Sequence, residues 1–496
     1  MGYEVVVVGG GIGGLTVAAL LAARGVKVCL CERESVVGGC VASFQKLAYT
    51  FEPTAGIYPL WGPGEVHDRV LSELGILLPE VEQADPAYVV RLPDGADVAV
   101  RSKRRDFENE LAGAFPECAT QAIRFYRRIR PIAQALVGAI DRIPELRSAG
   151  IVRQLQVLAS QPLAAVRIIR SLRHTTLQHL TNTSPRFRRF IDVQLQALAQ
   201  SPADACAYLY ACVALEEPRQ GSYAICGGAM GLAEKLASSF KRCGGILRLS
   251  TPVLRLAYNS RGQAIGVDLL SGERLEATRA VISNLTVWDT YGKLIGLEKT
   301  PTEMRKRLNS AKGWGAYVLY LALKEDAVAR LPAERMVVLT DWQANRPYDP
   351  MEHQFSFSVA PRFDPRAPTG ERSVTMCTFT DVADWFTFHR DASEHERMDQ
   401  QLLESWWEKL HQALPELGGD IEVIETATPP TFYENTRRKL GMVGGVGQSL
   451  EFFGLNSFSH ETTLSNVFMV GDTVFPGAGL SAVSYSAVSL ANLLTS

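Results

Sequence analysis

The 496-residue sequence is 46% hydrophobic and 21% charged, with 51 basic against 53 acidic residues, the composition of a globular protein larger than one core usually supports. So even a charge balance leaves no basic footprint, and no nucleic-acid partner is expected. Nine cysteines without a Cys-x-x-Cys pair and eight scattered histidines give neither a disulfide framework nor a metal site, and point to reducing, cytoplasmic surroundings.

The first element is a buried-looking strand, 3–8, running into Gly9-Gly10-Gly11-Ile12-Gly13-Gly14 and an Ala/Leu-rich helix. No leader is expected ahead of it, and no apolar run approaches the roughly 20 residues needed to span a bilayer. Gly9, Gly11 and Gly14 make a GxGxxG pattern between strand and helix, the context that turns a weak pattern into a dinucleotide site. Gly9 permits the tight turn, Gly11 lets backbone approach a pyrophosphate, and Gly14 lets helix and strand pack closely. The amides of Ile12 and Gly13 stand at the positive end of the helix dipole, facing the phosphates. A second apolar run, 26–31, ends at Glu32, whose carboxylate suits adenosine ribose hydroxyls and disfavours a 2′-phosphate. NAD and FAD folds share this signature. No second fingerprint follows, which argues against a tandem two-nucleotide reductase.

Further along, alternating 88–92 and 96–101 around Pro93-Asp94-Gly95 predict a hairpin. Helical stretches follow at 105–130 and 151–180, then a helix over 232–240 and a strand over 246–253. A strand meander over 254–282 turns at 259–262 and 271–272 and closes at a Ser283-Asn284 corner. Short strands at 315–323 and 373–379 precede a helix at 393–414. The last strand ends in Gly471-Asp472, and Gly477-Ala478-Gly479-Leu480 starts a final helix. Asp472 is placed to bind ribityl hydroxyls, and the amides of Gly477, Ala478, Gly479 and Leu480 to face the pyrimidine edge of a flavin.

With both ends in view, the sequence resembles the flavin amine oxidase superfamily and, within it, the phytoene desaturase and carotenoid cis-trans isomerase branch. The likeness runs nearly end to end. It is carried by the termini, by Glu32-Arg33-Glu34-Ser35-Val36-Val37-Gly38-Gly39 with Tyr49-Thr-Phe-Glu-Pro-Thr-Ala-Gly56, by the turn 222–231, and by Ser283-Asn284-Leu-Thr-Val-Trp288-Asp289-Thr290, which looks most like the isomerase branch. Cys40, Glu52 and Thr54 depart from the usual family residues.

The resemblance implies an α/β fold: a Rossmann-like FAD-binding domain from 1–100, 221–290 and 426–496, interleaved with a mixed substrate domain from 101–220 and 291–425. It extends the cofactor contacts to Arg33, Gly38, Gly39, Cys40, Pro53, Thr54, Ala55, Gly56, Val253 and Asn284. The activity implied is that of an FAD-dependent oxidoreductase on a hydrophobic polyene or isoprenoid, by isomerisation or desaturation through hydride transfer at flavin N5. Quinone or oxygen would serve as electron acceptor where one is needed. A polyene saturase, an amine or amino-acid oxidase, and a flavin-containing lipid carrier are the alternatives. Glu52, Glu434 and the run Arg437-Arg438-Lys439 are the acid/base candidates, and Tyr433 and Trp61 are tunnel candidates, Tyr433 being with Glu52 and Arg437 among the catalytic candidates. The segment 151–180 is basic and amphipathic, which suits either peripheral contact with the inner face of a membrane or an ordinary surface helix.

Overall fold

The computed structural model describes residues 2–142, 162–342, 348–387 and 392–495. Val5 to Val8 are all buried, and an unbroken apolar run of this kind forms a strand covered on both faces. Tyr3–Val8 accordingly lies inside a sheet, parallel to Val28–Cys31 on one side and to Arg274–Ser283 on the other. Ile246–Arg248 extends the sheet beyond Val28–Cys31, and Val467–Met469 pairs in parallel with the end of Arg274–Ser283. The period-2 alternation of a strand sorts the valines. Val5 and Val7 pack under the helices Ile12–Ala23, Gly228–Arg242 and Leu480–Thr495, whereas Val6 and Val8 face Trp288, Tyr291 and the meander. The meander itself, Val253–Tyr258, Ala264–Leu269 and Arg274–Ser283, is antiparallel, with its turns where the sequence predicts them. This is the expected α/β class.

A second seven-stranded sheet runs in the order Ile421–Ala427, Gly315–Lys324, Glu371–Thr380, Gln354–Val359, Arg335–Leu339, Tyr88–Arg91, Asp97–Val100. Two expected boundaries need correction. The hairpin around Pro93-Asp94-Gly95 forms, but it closes the edge of this second sheet, with Val89 opposite Met336 in parallel register, and so does not end the nucleotide unit at residue 100. The strand Ile421–Ala427 likewise crosses the boundary drawn at 426. Turn chemistry is local, whereas the sheet a hairpin joins is decided by strands far along the chain.

Helices Arg104–Ala114, Ala119–Arg142, Pro185–Ala199 and Tyr208–Gln220 share one core with the hairpin. The single helix expected over 105–130 is broken at Phe115-Pro116, where a 3₁₀ turn Pro116–Cys118 intervenes; proline has no N–H for the ladder and clashes with the preceding turn. Of the segment 151–180, residues 151–161 lie outside the described residues. The helix Pro162–Ser171 has Pro162 as its first described residue. Among the described residues no helix is long and apolar enough to cross a membrane.

Candidate flavin site and adjoining cavity

At the N-terminal end the helix Ile12–Ala23 starts at Gly11 with no side-chain cap, so its first amides have no partner within the helix. Gly9 turns at φ +100°, and a methyl at Gly14 would overlap the Gly9 carbonyl oxygen. Gly38 N donates to Gly10 O at 2.9 Å, folding the Gly38-Gly39 turn against Gly11. Buried Glu32 accepts from the amides of Gly10 (2.6 Å) and Glu34 (2.9 Å). Its carbonyl accepts from Thr251 N at 2.8 Å, which brings the loop before Val253 alongside. Asn284 sits in the middle of these segments. Its Nδ2 donates to Gly9 O at 3.4 Å, and a methyl on Gly13 would lie 2.7 Å from its Oδ1 and 3.2 Å from Gly471 Cα. The two glycine-rich ends of the chain therefore meet at one asparagine.

At the C-terminal end, Val467–Met469 delivers Gly471 and Asp472, and 477–480 lead into Leu480–Thr495. Asp472 Oδ2 accepts from Arg438 Nη2 at 2.9 Å. Arg438 also donates to the carbonyls of Met442 (2.8 Å) and Gly444. Beside it, burial pushes the Cys40 thiol up, although Arg438 opposes the shift. Cys40 is thus held as a neutral thiol.

Next to this helix start lies a cleft of ≈ 110 Å³, walled by Ala119–Arg142, Tyr208–Gln220, Ile57 and Pro59, and closed at one end by 478–482. Val137, Ile140, Leu198 and Val213 make it apolar. Among the described residues lining it, Glu217 is the one carboxylate. Ser481 Oγ donates to Glu217 Oε1 at 2.9 Å. Burial, reinforced by the negative charge of Glu65, pushes the Glu217 carboxyl up to about 7 against that hydrogen bond. Sequence reasoning passed over Glu217. The available signal was an adjacent pair, Glu216-Glu217, in a helix whose other residues up to that point are apolar or aromatic.

The residues singled out for acid/base work do not line the cleft. Glu52 Oε2 is paired with Arg366 Nη1 at 3.0 Å, and its Oε1 accepts from Ala229 N at 3.2 Å and from Tyr58. Arg366 in turn holds Asp364 at 2.6 Å, which accepts from Gly227 N at 2.7 Å. Arg437 is exposed, its guanidinium 5.1 Å from the ring of half-buried Tyr433. Trp61 is buried and stacked on His67. The segment Pro53, Thr54, Ala55, Gly56 packs on the second sheet: Tyr320 donates to Pro53 O at 2.9 Å and Arg335 to Gly56 O at 3.1 Å. Arg33 reaches the carbonyl of Glu434 at 3.2 Å. The Trp288-Asp289-Thr290 motif forms a buried joint. Thr290 Oγ1 meets Ser283 Oγ at 2.7 Å, Lys439 N donates to Asp289 at 3.0 Å, and Val287 N donates to Thr473 Oγ1 at 3.0 Å.

Residues 12–437 match the family described as flavin containing amine oxidoreductase. The chain belongs to this family. As a flavin containing amine oxidoreductase it is an FAD-dependent oxidoreductase, and its own residues fit that cofactor. An uncapped, glycine-lined helix start suits a pyrophosphate, and a second glycine-lined helix start at the far end suits an elongated dinucleotide. This amine oxidoreductase is 25% identical over 507 residues to the chloroplastic prolycopene isomerase of Daucus carota, covering 99% of this chain and 79% of that protein. It is 25% identical over 537 residues to the neurosporene-forming phytoene desaturase of Cereibacter sphaeroides, covering 98% and 93%. In fold it resembles an oxidoreductase from Methanosarcina mazei, with a TM-score of 0.66 at 17% identity and coverage of 98% and 99%.

Proposed function

We propose that this flavoenzyme isomerises a C=C bond of a long apolar polyene from cis to trans. The amides of Gly9, Gly11, Ile12, Gly13 and Gly14 hold the pyrophosphate of FAD, Glu32 its adenosine ribose, Asp472 its ribityl chain, and 477–480 the pyrimidine edge of its ring. When bound, FAD supplies hydride exchange at N5 and a redox-tunable ring charge. The chain's own residues supply a dry apolar slot that orients the substrate and excludes water. The single observation that carries this reading is the cleft, which is bounded at one end by 478–482 and presents mostly hydrocarbon to its occupant. An amine oxidase would need polar partners for an ammonium group, whereas this cleft is lined mainly by hydrocarbon. The likeness to the carrot isomerase over 99% of the chain supports the same choice. The likeness to the desaturase keeps a redox reaction as the second reading.

We also infer that the substrate is drawn from a membrane surface. Helix Pro162–Ser171 and the residues after it expose Val166, Ile169 and Leu172 beside Arg167, Arg170 and Arg173. An apolar strip flanked by cations suits a lipid interface.

Anaerobic incubation of the holoenzyme with cis-carotenes and with phytoene, flavin reduced or oxidised, separates the readings. An isomerised product formed with reduced flavin, with no electron acceptor such as quinone or oxygen consumed, is expected. A product with a longer chromophore formed with oxidised flavin would select desaturation instead, and a shorter one saturation.

A further inference from the structure

Resting on the isomerase reading, we propose that Glu217 is the catalytic acid of this enzyme, delivering a proton to the polyene from the wall of the cleft and taking it back. Three observations place it there. It is the one carboxylate among the described residues that line the cleft. It is tied by a 2.9 Å hydrogen bond to Ser481, in the first turn of the helix that follows the 477–480 cradle, so it stands where the cleft meets the cofactor end. Its neighbour Glu216 is engaged by Arg219 (2.6 Å) and Arg130 (3.4 Å), whereas the described partner of Glu217 is a hydroxyl, and no cation within ion-pair reach of it is recorded among the described residues. The charged and titratable groups around it are Glu65, Tyr210 and Tyr485, and behind Tyr485 stand Asp141 and Arg69. Burial and Glu65 both favour its neutral form, so a proton is present near neutral pH. An apolar wall makes that proton available to carbon, because water is not there to compete for it.

The step balances without an oxidant. The Glu217 O–H bond breaks as its proton goes to one carbon of the cis double bond, and the π pair becomes the new C–H bond. The neighbouring carbon is left as an allylic cation delocalised along the remaining double bonds. The former double bond, now single, rotates. The carboxylate then removes a proton from the carbon that gained one, the C–H pair re-forms the π bond in the trans arrangement, and Glu217 is again neutral.

The test compares holoenzyme carrying E217Q, E217D or S481A with the unsubstituted chain, on a cis-carotene in D2O and across pH. E217Q is expected to keep its flavin absorbance and to bind the carotene, while kcat falls about 10²- to 10⁴-fold, the usual worth of a positioned acid. E217D should retain part of the rate. Because the proton delivered is the one taken back, the expected readout in D2O is a lower kcat than in H2O, lost in E217Q. The unsubstituted kcat should decline as pH rises through about 7, and in S481A that limb should move to higher pH, since the lost hydrogen bond favours the ionised form. Independently of turnover, a protonated-carboxyl C=O stretch titrating near pH 7 should be present in the infrared spectrum, with or without flavin, and absent in E217Q. An E217Q rate within threefold of the unsubstituted enzyme, a kcat equal in D2O and H2O, or no such infrared band overturns the role of Glu217 while leaving isomerisation intact. No turnover of any polyene by the unsubstituted holoenzyme overturns the reaction and this role together.

Discussion

Glu217 shows what a functional carboxyl costs its fold. Its proton affinity in the native chain is raised, from the ordinary carboxylate range to about 7, chiefly by burial. The native state therefore binds this proton more tightly than the unfolded chain does. The contribution is fully present below an unfolded carboxyl's pKa of about 4.3 and is lost as pH rises through about 7. Above that, a half-buried negative charge faces Glu65, with the Ser481 hydroxyl as its hydrogen-bond donor among the described residues. Replacing Glu217 by Gln removes the charge and keeps the shape. The E217Q holoenzyme is expected to unfold at the unsubstituted Tm near pH 5 and roughly 2 °C higher at pH 8.5. Thermal unfolding followed by circular dichroism at the two pH values checks this, and equal shifts at both would mean the carboxyl is not raised. Arg438 shows the same logic with its charge satisfied: Asp472 and two carbonyls surround it, so that it, rather than exposed Arg437, is the arginine of the Arg437-Arg438-Lys439 run that stands beside the proposed ribityl contact. Nothing in three consecutive basic residues distinguishes the buried one, because the choice is made by the left-handed turn at Arg437 (φ 54°).

At the level of elements, legibility followed how local the determining chemistry is. The meander's strands and both of its turns were readable because Asn259-Ser-Arg-Gly262 and Ser271-Gly272 fix chain reversal within four residues. The Pro116 break was missed because apolar spacing continues across it, and the Glu216-Glu217 pair in the helix Tyr208–Gln220 marks a polar need within an apolar element without saying which of the two glutamates faces a cleft. The glycine turn was legible for a stricter reason. A methyl at Gly14 would overlap the carbonyl oxygen of Gly9, so Gly14→Ala must push the helix Ile12–Ala23 away from the strand Tyr3–Val8 and with it move every amide aimed at the phosphates. The G14A chain is expected to lose at least about tenfold in FAD affinity, ~1.4 kcal/mol, while the second sheet keeps its structure. Flavin fluorescence titration of the stripped protein measures the first, and the near-ultraviolet signal of Trp385 and Trp406, both in the second-sheet core, reports the second.

On the scale of the whole molecule, two sheets are coupled through charges that neither sequence periodicity nor motif spacing announces. Glu52, Arg366 and Asp364 tie the Gly227 turn of the nucleotide unit to the second sheet, and the Pro53–Gly56 stretch lies between them. The helical layer completes the cleft, and its outer surface carries the strip proposed to meet a membrane. Val166, Ile169 and Leu172 are 47%, 57% and 53% exposed, a strip that water disfavours, while Arg167, Arg170 and Arg173 on the same segment would meet anionic headgroups. Each of these arginines near an anionic surface is worth about 1 kcal/mol, a gain that salt screens within roughly 8 Å at physiological strength. The holoenzyme is therefore expected to float with vesicles containing phosphatidylserine or phosphatidylglycerol at low salt, less at 0.5 M salt (about 4 Å screening), and weakly with neutral vesicles. Replacing Val166, Ile169 and Leu172 together by Ser should abolish flotation while isomerisation of detergent-dispersed carotene continues, because none of the three lines the cleft. Flotation of the triple variant equal to the unsubstituted enzyme would place membrane contact on another face, and loss of detergent-phase turnover would mean that this strip supports the cleft itself.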